Sequence, residues 1–152
     1  MAPNIFIFDR YEADFIAVTN SGYIREFEIK LSLSDFYNDA RKVNKYTQET
    51  KYDFLLSGKG PCEFYYMFPE GLIPKEKIPE WAGIANPLQV RYGKHGSYYD
   101  VWEYRIRRIS KRLNKNKITD IQKNTIFRSL YHRYWDLQSK RIKEKNGEIL
   151  ML

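Results

Sequence analysis

Three side chains near the N-terminus, Asp14, Glu28 and Lys30, have the types and spacing to hydrolyse a phosphodiester bond. Two carboxylates can hold a hard divalent cation through oxygen. Such a cation polarises a phosphoryl group and lowers the pKa of the water it carries. An ammonium beside it orients that water or stabilises the charge that develops on the phosphate. The bare D-(x13)-E-x-K spacing arises by chance in many chains of this length, so its weight depends on the elements that carry it.

Residues 14–19 read as a buried strand, because Phe15, Ile16, Ala17 and Val18 form a short continuous apolar run. Asn20, Ser21 and Gly22 then signal a tight turn. Residues 23–30 resume as a strand, in which a period of two puts Glu26, Glu28 and Lys30 on one face and Phe27 and Ile29 on the other. Beside an apolar partner strand, that arrangement presents three charges into a cleft. Ser32 and Asp35 form a capping box, and Leu33, Phe36, Ala40 and Val43 recur at helical spacing, which predicts a helix over residues 33–46.

The other elements follow from the same patterns. Residues 4–8 read as a short strand, and 52–56 and 63–68 as two more around a turn at Gly58 to Pro61. Residues 69–79 form a proline-punctuated loop, 81–84 and 88–92 short strands separated by Asn86 and Pro87, and 94–99 an exposed loop. Residues 101–113 read as a basic helix. A second helix, capped by Thr119 and running to about residue 145, carries Ile126, Leu130, Tyr134 and Leu137 as its apolar stripe. Residues 146–152 are expected to form a frayed tail.

At 152 residues the chain is expected to form one domain: a core over residues 1–100, with a basic helical extension over 101–152 packed on it. One cysteine, Cys62, excludes an internal disulfide and a cysteine-rich zinc site, and suits a reducing cytosol. No apolar run approaches the roughly 20 residues a bilayer requires, and the N-terminus lacks the basic start of a signal peptide. A soluble cytoplasmic protein with no membrane partner is expected. His95 and His132 are far apart, without ligand-spaced partners, so neither a zinc site nor a histidine nuclease is supported. Tyr65 and Tyr66 point to opposite sides of their strand, which leaves one of them to stack on a base.

Charge is unevenly spread. Residues 104–145 hold 14 Lys and Arg against 3 Asp and Glu, a balance of +11; with +7 overall, the remainder carries −4. A basic half draws in a polyanion while an acidic half collects the metal.

The stretch EADFIAVTNSGYIREFEIKLSLSDFYNDARK, residues 12–42, resembles the PD-(D/E)xK nuclease superfamily, and within it the MmcB-like DNA-repair branch and its phage-encoded relatives. That branch pairs an acidic residue at the start of one strand with E-[IV]-K in the next. A helix opening S-x-x-D-F-x-x-D-x-x-K follows, here Ser32 to Lys42. CEFYYMFPEGLIPKEKIPEWAGIA, residues 62–85, is similar to the family's tyrosine-rich strand, its P-x-G-L-I loop and its final strand. The resemblance covers residues 3–85. It departs in having thirteen residues before Asp14, where the superfamily usually has a helix, and in Asn86-Pro87, which interrupts the last core strand.

The resemblance implies an α/β, restriction-endonuclease-like mixed β-sheet flanked by helices, with basic C-terminal helices. It implies Asp14, Glu28 and the Ile29 carbonyl as ligands of Mg²⁺ or Mn²⁺, Lys30 as the catalytic lysine, and Glu12 and Glu26 as auxiliary acids. The expected function is a metal-dependent endodeoxyribonuclease, selective for structure or strand, in DNA repair, recombination or phage DNA processing. Lys42, Lys45, Arg105, Arg107, Arg108, Lys111, Arg112 and Lys115 are expected to grip the DNA backbone. A homodimer would supply two active sites for two strands. The alternatives are a catalytically weak or inactive DNA-binding module of the same fold, and a phage-encoded inhibitor that binds a protein.

Overall fold

The computed structural model of the chain describes residues 2–8, 11–39, 41–44, 47–94 and 97–149. Strands β1 (Ala2–Ile5), β2 (Ala13–Val18), β3 (Ile24–Ile29), β4 (Glu63–Met67), β5 (Gly83–Lys94) and β6 (Ser97–Arg108) form one sheet in that spatial order. β3 runs parallel to β4 and β4 to β5, while β1–β2, β2–β3 and β5–β6 are antiparallel. Parallel neighbours need a crossover. Helices α1 (Leu33–Asp39) and α2 (Lys51–Leu56) supply the first, and a loop with a 3-10 turn at Lys75–Lys77 the second. Helix α3 (Asp120–Ile149) closes the chain. The protein is a mixed α/β fold.

Both crossovers cover the same face. Phe36 of α1 and Leu55 of α2 pack with Phe64, Tyr66, Ile84, Phe68, Ile73 and Ile78, which closes the main core. A smaller cluster of Ile5, Ile7, Ala13, Ile16 and Ile24 takes in Ile126 of α3. The opposite face carries Phe27, Tyr65 and Ala85, with Phe15, Met67 and Tyr104 against them. It stays open as a groove of about 950 Å³ lined by Ile29, Leu31, Pro87 and Trp102 among others.

Several expectations are corrected, among them the loop over 94–99, of which Lys94 and Ser97 to Tyr99 belong to β5 and β6. Residues 101–113 are not a helix, because β6 takes up 101–108. Trp102, Tyr104 and Ile106 alternate along one face, and β6 pairs with β5 over its whole length, with Val90 opposite Val101 and Lys94 opposite Ser97. The basic residues that suggested a helix are compatible with a strand once cross-strand partners exist. Residue 100, the expected boundary, therefore lies inside a strand. Residues 52–56 are helical rather than extended. Thr50 and Asp53 cap α2 reciprocally, with Thr50 Oγ1 accepting from the Asp53 N–H at 3.0 Å.

The helix expected over 33–46 stops at Asp39, because the chain then turns: the Lys42 N–H donates to the Asp39 carbonyl and Val43 bridges to Thr50. Ala40, Lys45 and Tyr46 of that expectation lie outside the described residues, as does His95. Finally, Asn86 and Pro87 do not interrupt a strand. β5 is continuous through them, and beyond Ala85 it pairs with β6 alone. A residue without an N–H is tolerated where one side of a strand has no partner.

Other expectations hold: the Asn20–Gly22 turn, where Gly22 takes φ +84°, and the Thr119 cap, which accepts from the Gln122 N–H. Tyr65 and Tyr66 do face opposite ways, yet both are buried, so neither is available to a base. The α3 stripe is largely unused, since Ile126 packs while Tyr134 and Leu137 are exposed. Among the described residues no helix is long and apolar enough to cross a membrane.

Gly83 is fixed by packing. A Cβ there would lie 2.2 Å from the Tyr65 ring and 2.9 Å from the Ser110 nitrogen, and the ring is stacked on Phe27 at 5.0 Å. Gly83→Ala is therefore expected to lower stability by about 1–3 kcal/mol in urea unfolding, the usual range for overpacking. An unchanged midpoint would mean that the ring moves away freely.

Candidate active site

β2 and β3 pair with Ile16 opposite Glu26, so the alternation carries Asp14 to the same face beside Glu28. Asp14 is partly exposed, and its Oδ2 accepts the Ile29 N–H at 2.8 Å. It lines a polar cleft of about 460 Å³ with Asn4, Tyr11, Glu12, Lys42 and Lys51. Glu28 is buried behind it.

Glu28 is held by two ammonium groups. Lys30 Nζ donates to its Oε1 at 2.8 Å and Lys51 Nζ to its Oε2 at 2.6 Å. Lys30 also lies 3.4 Å from Asp39 Oδ1 and 3.7 Å from Asp35 Oδ1. Lys51 stands 3.7 Å from both Glu26 Oε1 and Asp39 Oδ2, and its ammonium sits 4.5 Å above the Tyr11 ring. Tyr11 donates to Glu26 Oε2 at 3.0 Å and Tyr66 to Asp39 Oδ2 at 3.2 Å. Five ionisable side chains (Glu26, Glu28, Asp39, Lys30 and Lys51) are thus buried together in one lattice.

Three buried carboxylates face two buried ammoniums, an imbalance that favours a proton on one carboxyl. Burial pushes Glu26 up from 4.5 to about 7, against the pull of Lys51. Its Oε1 finds no hydrogen-bond donor among the described residues, which leaves the charged form poorly solvated. Burial also raises Glu28, again against Lys51. Burial acts the same way on Asp39, but Lys51, Lys30 and Lys42 outweigh it and hold that carboxyl below its usual range. Burial works against the charge of both buried lysines. The surrounding carboxylates outweigh it, so Lys30 and Lys51 stay above their ordinary value.

Asp14, Glu28 and Lys30, expected from their spacing, come together here, with Glu26 in the lattice and Glu12 exposed on the cleft. Ile29 presents its side chain to the open face, while its N–H holds Asp14. The sequence reading missed Asp39, Lys51, Tyr11 and Tyr66. Two signals point to the first pair. Asp39 follows Phe36 by three residues, and Lys51 precedes Leu55 by four, so each shares its helix face with a core side chain.

The residues expected to grip DNA do not share one helix. Lys42 does stand at the cleft rim with its side chain 61% exposed, and Lys45 lies outside the described residues. Arg105, Arg107 and Arg108 lie on β6, and Lys111, Arg112 and Lys115 in the loop after it, rather than on one helix. Several are engaged within the protein. Arg107 reaches Asn86 at 3.0 Å and Glu70 at 2.7 Å. Arg108 donates to the Ala82, Ile78 and Pro79 carbonyls, Lys111 lies 3.5 Å from Glu80, and Arg112 stacks 4.7 Å over the Tyr23 ring. Arg105, Arg107, Lys111, Arg112 and Lys115 are all exposed, and Arg108 is half-buried.

No family model and no curated protein matches this chain. Among solved structures, it is similar to a protein of unknown function, SPO1766, from Silicibacter pomeroyi. The match has a TM-score of 0.57 at 17% identity and covers 93% of this chain and 79% of that one. At that identity the likeness concerns the fold alone.

A carboxyl whose pKa rises on folding holds more protons in the folded state than in the unfolded one, here between 4.5 and about 7. In the metal-free protein, Glu26 is therefore expected to make stability fall as pH climbs through that window. The cost above it is about 3 kcal/mol. Glu26→Gln should flatten the fall and exceed wild type in urea midpoint at about pH 8, but not at about pH 5. Identical pH profiles for the two proteins would mean that Glu26 is ionised throughout.

Proposed function

We propose that the protein is a divalent-metal-dependent endodeoxyribonuclease with a restriction-endonuclease-like PD-(D/E)xK core. The observation that carries this reading is the pairing of Asp14, open to a polar cleft, with Glu28, held between two buried lysines. Burying such a lattice costs stability compared with an apolar core. A site chemistry explains its presence where packing does not.

The donors suit a hard cation, since they are oxygens only. Small divalent ions accept one or two protein carboxylates and complete their shell with water and substrate phosphate. Asp14 and Glu28 would hold Mg²⁺ or Mn²⁺, with the Ile29 carbonyl as a further donor. Among the described residues no group of three Asp, Glu, His or Cys side chains is arranged to hold an ion by itself, so substrate oxygens would share the task. When bound, the ion would polarise the phosphoryl group and acidify its water.

The protein's own groups prepare that site. Lys30 grips Glu28 Oε1 and so fixes the orientation of the carboxylate. The Ile29 N–H does the same for Asp14. Lys42 at the rim draws a phosphate toward the cleft. Contacts to phosphate carry no sequence information, so cleavage is selective for DNA structure or strand. DNA repair, recombination or phage DNA processing in a cytoplasm fits such an enzyme, with a homodimer where both strands are cut.

One observation favours a second reading. Both oxygens of Glu28 already meet an ammonium, as in a DNA-binding module of this fold that neutralises its own site. Labelled single-stranded, duplex, flap and four-way-junction DNAs, incubated with Mg²⁺ or Mn²⁺, separate the two. Asp14→Ala and Glu28→Gln are expected to lose cleavage by at least about a hundredfold, the upper end of what losing a ligand's outer partner costs. Binding without cutting in any metal would sink the enzyme and leave the module.

A further inference from the structure

The lattice holds two lysines, and the cleft distinguishes them. Lys30 is enclosed between β3 and α1, with Glu28, Asp39 and Asp35 around its ammonium, and it lines neither polar cleft. Lys51 opens α2 at the point where two clefts meet, one of about 460 Å³ holding Asp14 and one of about 160 Å³; Tyr11 and Lys42 line both as well. Lys42 and Lys51 flank a single carboxylate, at 3.5 Å from Asp39 Oδ1 and 3.7 Å from Asp39 Oδ2. An anion entering beside Asp14 therefore meets the exposed Lys42 ammonium first, with Lys51, its side chain 4% exposed, behind it. A lysine ammonium is a compact charge on a flexible four-carbon stem, able to turn from Glu28 to a phosphate. Turning would also leave Glu28 Oε2, now held at 2.6 Å, open to another ligand.

We propose that Lys51, rather than Lys30, is the lysine that meets the scissile phosphate, and that Lys30 is a positioning residue for Glu28. The inference rests on the nuclease reading for the word scissile alone; the phosphate contact stands by itself. Removing one ammonium from a buried lattice strands a carboxylate, so each lysine is replaced in a Glu26→Gln background at about pH 8, where Glu26 is ionised and its loss offsets the lost ammonium. Affinity of the full chain for a short labelled single-stranded oligonucleotide is then measured against salt in metal-free buffer. Adding Lys51→Met is expected to reduce the slope of log affinity against log salt by about one, whereas adding Lys30→Met leaves it unchanged.

The reverse pattern would overturn the assignment. Should the Lys51 variant not fold, Lys42→Met at the exposed rim tests the same phosphate path, and an unchanged slope there overturns it equally. Wild-type cleavage of the same oligonucleotide with Mn²⁺ keeps the two readings apart. A Lys51 slope effect without cleavage supports the contact and sinks only the nuclease. Cleavage together with a slope that responds only to Lys30→Met sinks only the reassignment.

Discussion

The buried ion lattice around Glu28 is the constraint to which the rest of the structure answers. It draws Glu26, Glu28 and Lys30 from one strand and its end, Asp39 from the end of α1 and Lys51 from the start of α2. Helices of seven and six residues have no stability of their own in water. They persist because Phe36 and Leu55 anchor them to the sheet and because each contributes a charge that the lattice cannot lose. Removing one partner of a buried pair typically costs about 3–5 kcal/mol, more than capping or propensity can return. The boundaries of α1 and α2 are thus set as much by electrostatics as by local sequence.

That lattice gives the sheet two unequal faces. Alternation along β3 sends Glu26 and Glu28 under the helices and Phe27 and Ile29 to the other side. The covered face hides charge that must be paired. The uncovered face shows apolar surface, with Leu31 at 77% and Trp102 at 71% exposure. Around β3 both faces are buried, one around the ion lattice and the other around Phe27, and apolar exposure begins at Ile29 and Leu31. A hidden face rich in charge is costly, and such cost concentrates at functional sites.

In the basic C-terminal third, several charges have partners within the protein. Arg107 is engaged by Glu70 and Asn86 and Arg112 by the Tyr23 ring, while Arg108 fastens β6 to the loop at Ile78 to Ala82 through three carbonyls. The guanidinium suits this role because it offers five fixed donors and a flat face. Positive charge is exposed on α3 at Arg128 and Lys140, and at the Lys42 rim of the cleft.

Local features of the chain were legible in the sequence. The β2–β3 hairpin, the shared face of Glu26, Glu28 and Lys30, the Thr119 cap and the closeness of Asp14 to Glu28 all follow from turn chemistry and a period of two. These depend on contacts within a few residues. What the sequence could not decide depends on partners far along the chain. Residues 101–108 carry Val, Trp, Tyr and Ile among arginines, and pairing with β5 made them a strand. Asp39 and Lys51 share helix faces with Phe36 and Leu55, but only the crossover that folds α1 and α2 over β3 joins them to the cluster around Glu28. Spacing places side chains on a face, but burial of a charge requires a second element to cover it, and that is decided in three dimensions.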